Sequence, residues 1–107
     1  MYWVYYLASD NEKISITKDY VISYSKKFDV YLLNDDYTSM DFVIDIVMKV
    51  FHHTYQNAYE IMLHVHNKGR GLCGRYTFEI AETKVDQVSK MARESGFPLK
   101  AILEEAS

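Results

Sequence analysis

The chain has 107 residues, 49% of them hydrophobic and 25% charged, with 4 Gly, 1 Pro and a net charge of -3. This is enough apolar material for one core but not for two, and its composition excludes disordered, collagen-like and low-complexity chains. The acidic balance excludes generic nucleic-acid binding, and the lone cysteine, Cys73, excludes an internal disulfide and the usual cysteine-based zinc sites, pointing to a reducing compartment.

Residues 1–27 scatter Tyr2, Tyr5, Tyr6, Tyr20 and Tyr24 among polar residues without a sustained period, and are read as an atypical N-terminal extension. The apolar opening, Met1 to Ala8, lacks a basic flank and is short for a signal peptide, and no run approaches the ~20 apolar residues that span a bilayer. The expectation is an intracellular soluble domain occupying residues 28–107. Phe28 to Leu33 alternates as a strand does and ends at the turn formers Asn34-Asp35-Asp36.

Thr38 or Ser39 can cap a helix with Asp41 in its first turn, and Phe42, Val43, Ile46, Val47, Val50 and Phe51 form its apolar face. Thr54 can cap a second helix on which Ala58, Ile61, Met62 and Val65 share a face, stopping at Gly69. Leu72 to Phe78 is a strand candidate. Ala81, Val85, Val88 and Ala92 mark a third helix, ended by Gly96 and Pro98, and Leu99 to Leu103 is a last strand. The order β-α-α-β-α-β predicts an α+β fold, a three-stranded antiparallel sheet with three helices on one face.

Gly69-Arg70-Gly71-Leu72-Cys73-Gly74 spells the dinucleotide pattern, but it leaves a helix and enters a strand, whereas phosphate binding needs glycines that lead into a helix. A glycine cap and a turn is the preferred reading. Cys73 has neither helix N-terminus nor base beside it in sequence and reads as a small buried hydrophobe. His64 and His66 are two apart on a helix and so point away from one another, which argues against a shared metal. His52, His53 and His64 read as solvated surface histidines.

His66 differs because of what surrounds it. No Lys or Arg falls between Phe28 and Met48, while Asp29, Asp35, Asp36, Asp41 and Asp45 do, so the stretch reads as a cation-attracting surface. A carboxylate, an amide oxygen and a neutral imidazole offer three acceptors, the number an α-ammonium group can use. From spacing alone, a turn with Asp caps and an unrelated surface histidine is the preferred reading.

Further motifs alter that balance. Leu32-Leu33-Asn34-Asp35-Asp36-Tyr37-Thr38-Ser39-Met40-Asp41-Phe42-Val43, then Ile61-Met62-Leu63-His64-Val65-His66-Asn67-Lys68-Gly69, then Ala81-Glu82-Thr83-Lys84-Val85 and Pro98-Leu99 occur in this order. From about residue 28 to 106 the chain resembles the ClpS family, adaptors that recognise destabilising N-terminal residues (N-degrons) and hand their bearers to a Clp AAA+ unfoldase and protease. The resemblance implies a small α+β fold, no enzyme activity and no cofactor.

Carried over by position, it implies that Asn34, Asp36 and His66, with Asp35 beside them, hold the substrate α-amino group. Leu32, Thr38, Met40, Val43, Met62, Val65 and Leu99 would wall a pocket for a first residue of Leu, Phe, Tyr or Trp. Glu79 and Lys84 would dock the N-terminal domain of a ClpA- or ClpC-type unfoldase. The partners implied are N-degron proteins and that unfoldase, with neither nucleic acid nor membrane. The location implied is the cytoplasm of a bacterium, or a plastid or apicoplast stroma in a plastid-bearing eukaryote. Ser39 stands where the family commonly has proline, and the segment before Phe28 is unlike the family's polar extension, which serves delivery. A structural interaction module indifferent to a free amine, or an acid/base enzyme using Asp35, Asp36 and His66, are the alternatives. The enzyme lacks a nearby nucleophile or anchoring cation.

Overall fold

A computed structural model describes residues 26–107, so the extension assigned to residues 1–27 lies, up to residue 25, outside the described residues. The elements run β1 (Phe28–Leu33), α1 (Met40–Phe51), α2 (Tyr55–Lys68), β2 (Arg70–Tyr76), α3 (Phe78–Ser95) and β3 (Lys100–Glu105). Both sheet neighbours of β1 are antiparallel to it, in the order β2-β1-β3. The α+β order expected from the sequence is the one observed.

Local chemistry sets the helix ends. The Phe42 N–H donates to Ser39 Oγ at 3.1 Å and the Asn57 N–H to Thr54 Oγ1 at 3.2 Å, each satisfying an otherwise orphaned donor of a first turn. Gly69 closes α2 at φ 91°, a left-handed conformation glycine reaches without a Cβ penalty, and its N–H returns to the Val65 carbonyl at 3.1 Å. Val30 and Leu32 of β1 are wholly buried beneath Ile46 and Val47 of α1, Ala58 of α2, and Ala81 and Val88 of α3, in one continuous core.

Two strands and one histidine differ from expectation. The strand expected at Leu72 to Phe78 is displaced: β2 begins at Arg70, because the turn at Gly69 delivers the chain directly into pairing with Leu33. It ends before Phe78, because Thr77 already has the extended backbone of a helix cap and Phe78 opens α3, three residues ahead of Ala81. β3 starts at Lys100 and continues to Glu105, opposite Leu33 and Phe28 respectively, rather than running from Leu99 to Leu103. His53 is no solvated helix residue: it lies between α1 and α2, and its Nε2–H donates to the Cys73 carbonyl at 2.6 Å.

The glycine-rich stretch is explained by packing. A Cβ on Gly71 would meet Val65 Cγ2 at 2.7 Å and the Ile61 carbonyl oxygen at 2.9 Å, so α2 and β2 approach only because that atom is missing. Tyr76 lies over Gly74. A bulge between Val30 and Tyr31 pairs them with Gly74 and Leu72, leaving Cys73 as the extra residue of β2. Cys73 is 2% exposed, and burial pushes its thiol up to about 12, the inert state of a core cysteine.

Candidate functional site

The register of β1 and β2 builds a recess at one end of the sheet. Leu33 pairs with Arg70, and the Asn34 N–H donates to the Gly69 carbonyl at 3.0 Å, fastening the end of β1 to the cap of α2. The loop after β1 therefore lies beside the last turn of α2, which carries Val65 and His66. The Asp35 carboxylate shapes this loop: Oδ1 accepts from the Tyr37 and Thr38 N–H groups at 2.8 and 2.7 Å, and Oδ2 from the Thr38 hydroxyl at 2.7 Å. Burial pulls that carboxyl upward, but the Thr38 hydroxyl and the two amides outweigh it and hold it below its ordinary value.

Asn34, Asp35, Asp36, Thr38, Met40, Val43, Met62, Val65 and His66 line a recess of about 240 Å³. Val43, Met62 and Val65 are buried at its floor, whereas Asn34, Asp36 and His66 are exposed at its mouth with Met40, which is 47% exposed. The mouth is polar and the floor apolar. Leu32 and Leu99, expected in the same wall, do not line it; both are packed into the core. Leu32 alternates with Tyr31 and Leu33 along β1 and so takes the inward face with Val30.

The acids of the Phe28 to Met48 stretch do not pool. Asp29 sits at the far end of β1, where Arg75 bonds both its oxygens at 2.7 and 3.1 Å; that hydrogen-bonded pairing holds its carboxyl below the ordinary value. Asp45 pairs with Lys49 at 3.1 Å. Asp35 is committed to its loop. Among the described residues Asp36 and Asp41 have no ion-pair partner, and only Asp36 lines the recess. The negative end of the α2 dipole lies at the same mouth, which favours a cation there.

Glu79 and Lys84 lie apart from this recess on α3. Glu79 is exposed in the first turn, while Lys84 Nζ donates to the Val50 carbonyl at 2.8 Å and so closes the C-terminal end of α1. Two further hollows went unread in the sequence. His53, Asn57, Glu60, Ile61, His64 and Leu72 line a groove of about 270 Å³ beside β2. Leu33, Asn34, Asp35, Pro98 and Lys100 line another of about 240 Å³, sharing a wall with the first recess. The first depends on how α2 packs beside β2 and the second on the register of β1 with β3, and neither has a local signature.

The sequence profile of the ATP-dependent Clp protease adaptor protein ClpS matches residues 23–102. An ATP-dependent Clp protease adapter protein ClpS of Wolinella succinogenes is 52% identical over 84% of this chain and 88% of its own length, and one of Acetivibrio thermocellus is 48% identical over 88% of this chain and 97% of its own. The solved structure of Agrobacterium tumefaciens ClpS2 bound to L-phenylalaninamide superposes with a TM-score of 0.74 at 33% identity, covering 76% of this chain and 98% of that one. Among the described residues no helix is long and apolar enough to cross a membrane. With this profile and these relatives, the chain belongs to the ClpS family: it is an adaptor of the ATP-dependent Clp protease and not itself an enzyme.

Proposed function

We propose that residues 28–107 form an adaptor core that captures proteins by a destabilising first residue, Leu, Phe, Tyr or Trp, and presents them to a ClpA- or ClpC-type unfoldase. The observation that carries this reading is one mouth with two chemistries. Asn34, Asp36 and His66 ring it with acceptors, over an apolar floor of Val43, Met62 and Val65. A free α-ammonium has three N–H donors for such a ring, and a bulky side chain beside it would displace water from the floor. L-Phenylalaninamide, the molecule named with the Agrobacterium tumefaciens structure, has both parts, a free amine and an aromatic side chain. Asp35 supports the ring by shaping the loop, and Thr38 and Met40 stand at its edge. Leu32 and Leu99 contribute as the packing behind the floor.

Burying the side chain contributes about 1.5–3 kcal/mol and each charge-assisted bond about 1.5–3 kcal/mol, against association costs of at least about 4 kcal/mol. The balance suits micromolar capture and later release. His66 can accept through a ring nitrogen that carries no proton. Glu79 and Lys84 form the docking surface for the unfoldase N-terminal domain.

Fluorescence anisotropy with a Leu-initiated peptide, its N-acetylated copy and a Met-initiated control tests the reading. Only the free Leu peptide binds tightly; equal binding of free and acetylated copies overturns it.

A further inference from the structure

We propose that the hollow lined by Leu33, Asn34, Asp35, Pro98 and Lys100 is a second subsite, taking the side chain of the bound peptide's third residue and favouring glutamate there. This rests on capture of the peptide's first residue in the neighbouring recess. The two hollows share Asn34 and Asp35, so a chain leaving the first mouth over that wall meets the second directly. In an extended peptide successive side chains point to opposite sides, and alternate ones lie about 7 Å apart. With the first side chain inserted, the second turns to solvent and the third returns to the protein.

The chemistry of this hollow fits a methylene stem ending in a carboxylate. Leu33 and Pro98 supply apolar walls. Lys100 opens β3 opposite Leu33, is exposed, and has no ion-pair partner among the described residues. The other charge lining the hollow, the Asp35 carboxylate, is turned into its loop and accepts three hydrogen bonds there, which leaves Lys100 as the uncommitted charge. An exposed ion pair of this kind is a modest one, about two- to fivefold in affinity, and fades as salt rises beyond the screening limit.

The test uses Leu-initiated peptides carrying Glu, Leu or Lys at the third position, and N-acetylated copies of each, measured by anisotropy against the full chain and its Lys100→Glu and Lys100→Ala variants. The expected result is tighter binding of the Glu peptide than the Lys peptide by about two- to fivefold, loss of that difference in Lys100→Ala, and its reversal in Lys100→Glu. A Glu-to-Lys ratio unchanged in Lys100→Glu, with acetylated copies still rejected, overturns the subsite and leaves first-residue capture standing. Acetylated copies that bind as well as free ones overturn the capture reading and the subsite with it.

Discussion

Gly71→Ala should loosen the recess from behind. The new Cβ would lie 2.7 Å from Val65 Cγ2 and 2.9 Å from the Ile61 carbonyl oxygen, against ordinary contacts of 3.4 Å or more. The Ile61 oxygen is backbone of α2 and cannot rotate away, so α2 must retreat from β2. Overpacking of this kind costs about 1–3 kcal/mol, or roughly 5–20 °C in Tm for a domain of this size. Val65 is both the atom that Gly71 crowds and part of the recess floor, so binding of a Leu-initiated peptide should also weaken. A loss of about 1 kcal/mol of the apolar term is on the order of fivefold. Circular-dichroism melts and anisotropy on the same samples measure both. Adding Val65→Ala to Gly71→Ala removes the 2.7 Å contact but not the 2.9 Å one, so the double variant should be less destabilised than the two single changes summed. A Gly71→Ala protein that melts with the wild type would refute the close approach of α2 and β2.

Other substitutions test separate parts of the argument. Met40→Ala removes a half-exposed side chain at the mouth that would crowd the second branch at Cβ of a Val or Ile first residue, should cost under about 1 kcal/mol in stability, and should admit Val- and Ile-initiated peptides; anisotropy that finds them unbound refutes that crowding. Asp35→Ala deletes three hydrogen bonds inside the loop and should lower stability by about 1–3 kcal/mol in urea melts while also weakening capture. Lys84→Ala should reduce delivery to the unfoldase and also lower Tm, because the Val50 carbonyl at the end of α1 loses its donor; loss of delivery with an unchanged melt would mean that contact is idle. A thiol pushed from 9.0 to about 12 by burial supports the fold fully below its unfolded value and withdraws that support as pH rises through the folded one. Relative to Cys73→Ala, the wild type should therefore lose stability above pH 9.0, by at most about 1.4 kcal/mol per pH unit, in melts repeated along the pH scale.

What the sequence made legible was periodic or local. Ser39, Thr54, Gly69 and Gly96 act where the capping chemistry put them, since a cap is decided within four residues. The recess-lining residues on α1 and α2 were named only through the family resemblance, because helical spacing, which puts Met40 with Val43 and Met62 with Val65 and His66 on common faces, by itself reads as core. What stayed hidden was set across the sheet. Nothing near Arg70 in the chain says that it pairs with Leu33, so the start of β2 was placed two residues late. The same blindness concealed the hollow at Lys100.

Charge was the least legible quantity, because a run of acids in sequence says nothing about which of them the fold will neutralise. The acids of the Phe28 to Met48 stretch read as one cation-attracting surface, yet the fold gives Asp29 to Arg75, Asp45 to Lys49 and Asp35 to its own loop. Asp36 alone, among the described residues, brings to the mouth over Val43, Met62 and Val65 a carboxylate with neither an ion-pair partner nor a hydrogen bond to its oxygens, Asp35 beside it being held by its loop. One such charge flanked by neutral acceptors suits a single ammonium group better than a diffuse acidic patch would, since a patch attracts any cation while a ring of three acceptors matches one donor geometry. On the proposed capture of a free amine, selectivity rests on the pairing that removes the other carboxylates, as much as on the residues that remain.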